Sequence, residues 1–222
     1  MGTTYAFVPV AEAAFIAEVS APQMNRLVDE DLVPHILLAQ ESGGRRFARL
    51  SAAFARFFFE TETDLVASTR KRILRELTER IEKVQGHNEI FALHVMPREV
   101  DWKVFVSSAV TVDVSSFVSA AMARAKEVDQ ADKLVVEDLE VLGGVPCFAG
   151  TRVPIESVLA SLDQGVATSR VTQSYPFLTD AHIEAARVYS RVHPRRGRPR
   201  RLSEANSPAL KRVSKAVRTA RT

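Results

Sequence analysis

The densest cluster of glycine and proline in the chain lies at residues 143–154, Gly-Gly-Val-Pro-Cys-Phe-Ala-Gly-Thr-Arg-Val-Pro. Glycine permits positive φ and proline holds φ at about −65°, so the segment predicts tight turns around a very short strand. A β-rich segment precedes it at residues 133–142. Residues 155–162 follow with apolar side chains at helical spacing. The stretch therefore predicts a hairpin that leads into a helix.

The spacing of glycine, proline and tyrosine around this hairpin extends over residues 133–194. The pattern consists of Gly-Gly-x-Pro at 143–146, Gly-Thr-Arg-Val-Pro at 150–154, Gly165, Tyr-Pro-x-Leu-Thr at 175–179, Ile183, Ala185, Ala186 and Tyr189. It resembles a small bacterial domain of unknown function, number 433. Residues 147–149, Cys-Phe-Ala, depart from the aliphatic and basic residues usual there. The resemblance implies a small helical domain, and members of this family are often antitoxins of the VapB kind whose partners resemble PIN-domain ribonucleases.

Three helices are predicted after the hairpin, at residues 155–164, 168–174 and 180–192, with Thr179 as the cap of the last. Three short helices at this spacing predict a helix-turn-helix-like domain at 133–194. Thr151 and Arg152 have two interpretations: they tie the turn by hydrogen bonds, or they contact a ligand directly.

Composition places the chain among ordinary globular proteins, with 46% apolar and 26% charged residues. The single cysteine, Cys147, excludes an internal disulfide framework and suits a reducing compartment. No apolar run approaches the ~18 residues of a membrane span. We expect a cytoplasmic protein.

The N-terminal residues 1–61 predict a winged helix-turn-helix head. One helix is expected at residues 10–17, and Ser20 with Gln23 forms a capping box for a second helix ending near Asp31. A hairpin that turns at residues 42–44 would form the wing, and Ser51 would cap a closing helix. The arrangement resembles the heads of bacterial regulators of the MerR-like group.

If this head binds DNA, the second helix enters the major groove and the hairpin lies along phosphates. The predicted DNA-binding residues are Gln23, Asn25 and Arg26 on the helix and Arg45, Arg46 and Arg49 in the hairpin. Acidic residues 29–31 follow immediately and oppose contact with phosphate. A head of this kind used for protein contact, without DNA, is the alternative.

The strongest helical pattern, at residues 63–85, begins the middle region 62–132. A stripe of apolar residues runs along it, namely Val66, Ile73, Leu77, Ile81 and Val84. The first four are predicted to form the seam of a homodimer, which two heads on palindromic half-sites require. Packing of the stripe within its own domain is the alternative. Strands are predicted at residues 90–95, 104–106 and 112–114, and a helix that is capped by Ser115 or Ser116 and ends at about Val128.

Charge is divided unevenly along the chain. Residues 195–222, here called the basic tail, contain ten Lys or Arg and one acid, whereas residues 1–194 carry a net charge of −6. In the light of the family resemblance, arginines of the tail would pair with the metal-binding carboxylates of a ribonuclease toxin. The predicted toxin-binding residues are Arg195, Arg196, Arg198, Arg200, Arg201 and Leu202. An idle solvated tail and unspecific contact with nucleic acid are the alternatives.

No pattern in the sequence supports an enzyme. The five histidines are scattered, Cys147 has no second cysteine, and no phosphate-binding loop or nucleophile elbow is present. We expect no catalytic residues, metal or cofactor. The sequence thus predicts an α+β, mainly helical antitoxin that binds operator DNA as a dimer and neutralises a ribonuclease. The alternative is a stand-alone transcription regulator without a toxin.

Overall fold

The computed structural model describes residues 7–194 and has an α+β architecture that is mainly helical, which confirms the predicted fold class. Its elements in chain order are β1 (Val8–Pro9), α1 (Val10–Ala17), α2 (Ala21–Asp29), β2 (Leu38–Glu41), β3 (Gly44–Phe47), α3 (Leu50–Glu60), α4 (Ala67–Glu82), α5 (His87–Phe91), β4 (Lys103–Ser107), β5 (Val110–Asp113), α6 (Ser115–Leu134), β6 (Val135–Val136), β7 (Cys147–Phe148), α7 (Ile155–Asp163), α8 (Thr168–Ser174) and α9 (Asp180–Val192). A short 3-10 helix at His35–Leu37 precedes β2. None of the helices within this range is long and apolar enough to cross a membrane.

The first two helices are joined by a short turn in which Glu18 adopts the left-handed conformation, with φ of 55°. The backbone N–H of Val19 donates to the carbonyl of Ala14 at 3.2 Å, which ends α1. The helix predicted at residues 10–17 is confirmed. The second helix is confirmed as well, although α2 ends at Asp29, two residues earlier than expected.

A three-stranded antiparallel sheet with the order β1-β3-β2 lies beside these helices. Phe47 on the central strand is opposite Val8 on one side and Leu38 on the other. The hairpin turns at Ser42–Gly43, and the φ of 116° at Gly44 is one that other residues rarely adopt. The predicted hairpin is therefore confirmed.

The next helix, α3, is buried along most of its length. The predicted cap at Ser51 is wrong, because α3 begins at Leu50 and Arg49, two residues before Ser51, occupies the cap position. The Ser51 hydroxyl instead donates to the carbonyl of Ala48 at 2.7 Å inside the core. The helix predicted at residues 63–85 is present as the shorter α4, which packs against α3, α5 and β4.

The middle region departs from prediction at one element. Residues 90–95 do not form a strand, because residues 87–91 form α5 and the chain then turns at Leu93, where φ is 57°. Ile90 and Phe91 are both buried, and α5 packs against α3 and α4. Packing against helices has therefore overridden the β-branched composition of the segment. The other two predicted strands are confirmed as the β4–β5 hairpin.

The twenty-residue helix α6 is in contact with α1, α3 and α9. Its buried side includes three alanines, Ala121, Ala125 and Ala131, whose small side chains allow neighbouring helices to approach closely. The predicted cap at Ser115 or Ser116 is wrong, because α6 begins at Ser115 and Val114 occupies the cap position. The predicted end near Val128 is also wrong, since the buried pattern continues and the helix ends at Leu134.

The C-terminal unit, residues 133–194, contains the predicted hairpin and helices, but the β-rich segment expected at residues 133–142 forms a strand only at β6. Strands β6 and β7 form a two-residue antiparallel pair in which Val135 is opposite Phe148. The three predicted helices are present as α7, α8 and α9. Thr179 caps α9: its Oγ1 lies 2.8 Å from Nδ1 of His182, and its backbone N–H donates to the same nitrogen at 3.4 Å.

Candidate functional site

The start of α2 is held by a reciprocal pair of hydrogen bonds. The backbone N–H of Gln23 donates to the Ser20 hydroxyl at 3.3 Å, and the N–H of Ser20 donates to Gln23 Oε1 at 2.9 Å. The predicted capping box is thereby confirmed. The same contacts draw the Gln23 side chain back towards the turn.

The exposed side of α2 and the β2–β3 hairpin form one continuous polar surface, which we call the head surface. Arg45 on β3 reaches across to α2, where it donates to the carbonyl and side-chain oxygens of Asn25 at 3.3 and 3.4 Å. It also pairs with Asp29 at 2.5 Å. The structure therefore brings Asn25 and Arg45 into contact, and Arg26 lies next to Asn25 on α2. Arg46 follows Arg45 on β3, so its side chain lies on the other face of the sheet, where it donates to Glu41.

Each arginine of the head surface is paired with a carboxylate. Arg26 pairs with Glu30 at 2.7 Å, Arg45 with Asp29, and Arg46 with Glu41 at 3.0 Å. The hydrogen bond from Arg26 holds the pKa of Glu30 below its usual value, and the bond to Asp29 raises the pKa of Arg45. The carboxylates are about half exposed, and exposed pairs contribute only about 0–1 kcal/mol. Phosphate can therefore compete for these arginines.

Arg49 does not belong to this surface, and its predicted role in contacting DNA is wrong. The residue is 9% exposed and lies between α1 and α6. Its guanidinium binds Glu12 at 2.8 Å and Asp129 at 2.7 Å. Burial lowers the pKa of Arg49, but the two carboxylates outweigh burial and raise it. Arg49 is a buried ionic link between the N-terminal unit, residues 8–60, and α6.

The predicted dimer seam is also wrong for three of its four residues. Ile73, Leu77 and Ile81 are fully buried within the chain itself, so they have no surface to offer to a second copy. Val66 differs, because it precedes α4 and is 67% exposed. The apolar stripe of α4 thus serves the internal core.

In the Gly-Thr-Arg turn, residues 150–152, the Thr151 side chain holds the turn by two hydrogen bonds. Thr151 Oγ1 donates to the carbonyl of Phe148 at 2.9 Å and accepts from the N–H of Val153 at 3.1 Å. Gly150 has a φ of 72°, which suits the tight turn. The interpretation of Thr151 as a tie for the turn is confirmed, whereas Arg152 is exposed to solvent beside it. Burial raises the pKa of the Cys147 thiol under the same turn.

A cleft of about 850 Å³ separates the N-terminal unit from the C-terminal unit. Its walls include residues 9–11, residues 143–146 and the chain from Tyr189 to Pro194. Tyr189 donates its hydroxyl to Glu137 at 3.1 Å, and His193 Nε2 lies 3.3 Å from Asp132. The hydrogen bond with Asp132 raises the pKa of His193 above its usual value. The predicted toxin-binding residues 195–202 come directly after this cleft and lie outside the described residues.

These groups were not foreseen from the sequence. Asp132 and His193 are sixty-one residues apart, and Glu137 and Tyr189 fifty-two. In the sequence, Tyr189 stands out only as part of the family pattern. No local spacing signals such pairs, because only the packing of α9 against α6 brings them together.

Fold and surfaces together define a mainly helical α+β protein with a polar head surface and a cleft at the start of its basic tail. Residues 135–190 match the family described as "Protein of unknown function (DUF433)". This finding confirms the resemblance drawn from the glycine and proline pattern.

The similarity to one curated protein extends far beyond that domain. The chain is 30% identical over 190 residues to "Uncharacterized protein y4eO" of Sinorhizobium fredii (strain NBRC 101917 / NGR234), a match that covers 86% of this chain and 83% of the relative. The chain belongs to the same protein family as y4eO. No solved structure matches it significantly.

Proposed function

We propose that the protein is an antitoxin of the VapB kind that also represses its own operon. In this proposal residues 8–60 form a winged helix-turn-helix that binds operator DNA. The C-terminal unit and the basic tail bind and neutralise a PIN-domain ribonuclease. The observation that carries the DNA-binding half is the element order β1-α1-α2-β2-β3-α3, with a capped second helix beside a hairpin.

The head surface supports contact with DNA through its geometry. In a winged helix-turn-helix the second helix enters the major groove and the hairpin follows the backbone. Asn25 can pair with adenine and Arg26 with guanine. Arg45 would lie along phosphates, since it projects from the hairpin beside α2. Arg46 projects from the other face of the hairpin and would reach phosphate only along its edge.

The charge of the head surface limits how it binds. Asp29, Glu30 and Glu41 remain beside the arginines and repel phosphate. Unspecific attraction to the backbone is therefore weak, and the free energy of binding has to come from base contacts. A dimer on a palindromic site would supply two such surfaces. Its contacts must lie elsewhere than the buried stripe of α4.

The toxin-binding half rests on the DUF433 domain at residues 135–190 and on the net charge of +9 in the basic tail. Members of this domain family are often antitoxins, and arginine pairs bidentately with clustered carboxylates. Bound in that way, the tail would block the metal and RNA at a ribonuclease centre.

Co-expression with the adjacent small gene tests the proposal. The neighbour expressed alone should arrest growth, and co-expression should restore growth and give a complex that co-purifies through a tag on one partner. A form ending at Pro194 is the matched comparison for the tail. If the neighbour is harmless and does not bind, the antitoxin proposal fails. A sequence-specific complex with the upstream DNA would then favour the stand-alone regulator.

A further inference from the structure

A segment of acidic and apolar residues runs from the last residue of β6 towards β7, beside the cleft. We call residues 136–142, Val-Glu-Asp-Leu-Glu-Val-Leu, the acidic loop. Leu139 is 84% exposed and Leu142 is 52% exposed. The carbonyl of Asp138 accepts the N–H of Val141 at 2.9 Å and that of Gly144 at 3.0 Å, so the loop has a defined shape. Its leucines add little to the core of the described chain and present an apolar surface between carboxylates.

The basic tail leaves the described chain at the same place. Pro194 lines the cleft, and so do Glu137 within the acidic loop and Gly143 directly after it. Glu156 adds a further carboxylate to the cleft wall. The first arginines of the tail therefore follow directly from a cleft whose walls carry the carboxylates of Glu137 and Glu156.

The chemistry of the tail is complementary to that of the acidic loop. Residues 195–222 contain ten Lys or Arg and one acid, and their aliphatic residues other than alanine are Leu202, Leu210, Val213 and Val217. The acidic loop offers three carboxylates and four aliphatic side chains. At about 3.3 Å per extended residue, eight residues separate Leu202 from Pro194 by at most about 26 Å. A tethered segment also has a high effective concentration near its own anchor.

We propose that the basic tail binds its own chain, along the cleft and the acidic loop. This inference is independent of the proposed function, because it requires neither a toxin nor DNA. It implies that in the isolated protein the tail is bound to its own chain. The tail then has to be released before its arginines contact another molecule. The acidic loop then acts as an internal competitor for whatever the tail binds.

Carbodiimide cross-linking of the full chain, followed by mass spectrometry, tests the proposal. The reagent joins a lysine amine to a carboxylate as an amide, and the tail contains two lysines, Lys211 and Lys215. The expected products link these lysines to Glu137, Asp138 or Glu140. Raising the salt concentration to about 1 M should reduce their yield, because exposed charges are screened.

A variant that keeps every carboxylate separates docking from mere loss of reactive groups. Leu139→Ser with Leu142→Ser should lower the yield about five-fold or more, because the apolar contacts are removed. The matched control is Val66→Ser with Phe105→Ser, two residues that are 67% and 70% exposed elsewhere, and it should leave the yield unchanged.

Isotope mixing determines whether the contact is made within one chain. Equal amounts of ¹⁴N- and ¹⁵N-labelled protein are cross-linked together, and the proposal requires products of a single isotope. Mixed-isotope products as the main species would overturn it in favour of contact between two copies. Links spread over the surface without preference for the acidic loop, or an unchanged yield in the leucine variant, would overturn it as well.

Discussion

Arg49 illustrates what a single sequence leaves undetermined at the scale of a residue. Its position beside Arg45 and Arg46 suggested a row of basic side chains along a wing. In the structure the Arg49 side chain points inward instead. It donates to Glu12, thirty-seven residues earlier, and to Asp129, eighty residues later. By contrast, the Ser20–Gln23 capping box was predictable, because both partners lie within one helical turn.

Replacement of Arg49 by methionine should destabilise the protein strongly. Methionine keeps an apolar stem of similar length, but it leaves Glu12 buried and Asp129 without its cation. Breaking a buried ion pair from one side costs about 3–5 kcal/mol. Urea unfolding of the full chain measures this free energy.

The matched control is Arg46→Met, which removes an arginine from the half-exposed pair with Glu41. We expect this change to cost at most about 1 kcal/mol. Adding Glu12→Leu to Arg49→Met should recover part of the loss, since the buried carboxylate is then absent. Equal costs for the two single variants would contradict the buried link.

His193 should make stability depend on pH. Its folded pKa is raised by the hydrogen bond with Asp132, whereas the unfolded value is that of free histidine, 6.5. The charged form is favoured in the folded state, so its contribution is fully present below pH 6.5 and is lost as pH rises through the higher folded pKa. Glu12, Glu137 and Tyr189 also face this imidazole.

Unfolding midpoints in urea at several pH values between about 5.5 and 8.5 measure this dependence. The wild-type midpoint should fall with rising pH, and the His193→Gln variant should show a flatter profile. The nearby variant His182→Gln is a poor control because the His182 ring bonds to Thr179, the cap residue of α9. His35→Gln, which changes an exposed histidine, serves instead. A wild-type profile no steeper than that of His193→Gln would refute the role of His193.

At the scale of elements, prediction succeeded where local residues mark the ends of a helix. The last three helices were placed nearly to the residue, because Gly165, Tyr175-Pro176 and Thr179 punctuate the chain between them. It failed at residues 90–95, where the β-branched pattern favoured a strand and burial against α3 and α4 stabilises a helix. It also placed an internal face of α4 on the surface, since an apolar stripe has the same spacing in either case.

The proposed DNA interface predicts that its own carboxylates weaken binding. Asp29→Asn together with Glu30→Gln should raise the affinity for unspecific duplex DNA, because Arg26 and Arg45 are released and repulsion falls. Arg45→Ala should lower affinity and reduce the slope of log K against log salt by about 1. Fluorescence anisotropy over a range of salt concentrations measures both effects.

The control for the head surface is a variant that removes a charge elsewhere on the protein. Glu99→Gln removes an exposed carboxylate near β4 and alters the net charge by one unit. It should change DNA affinity much less than Asp29→Asn alone. If the two variants behave alike, the effect is one of overall charge, and the head surface is not the binding site.

At the scale of the whole molecule, the three units predicted at residues 1–61, 62–132 and 133–194 do not have separate cores. One apolar cluster runs through all three of them, from Val8 and Phe54 to Val104 and Tyr189. Helix α6 packs against α1 and α3 on the N-terminal side and against α9 on the C-terminal side. The boundaries at residues 61 and 132 therefore mark changes of sequence character, and packing crosses both of them.

A shared core predicts that the described residues unfold as one cooperative unit. Trp102, the only tryptophan of the chain, is 6% exposed in the middle region, so its fluorescence reports on that region alone. Far-ultraviolet circular dichroism reports on all helices. The two urea transitions should coincide, as two-state behaviour requires. Arg49→Met should also shift the Trp102 midpoint, although Arg49 lies in the N-terminal unit. A fluorescence transition that stays in place while the dichroism transition moves would show that the N-terminal unit unfolds separately.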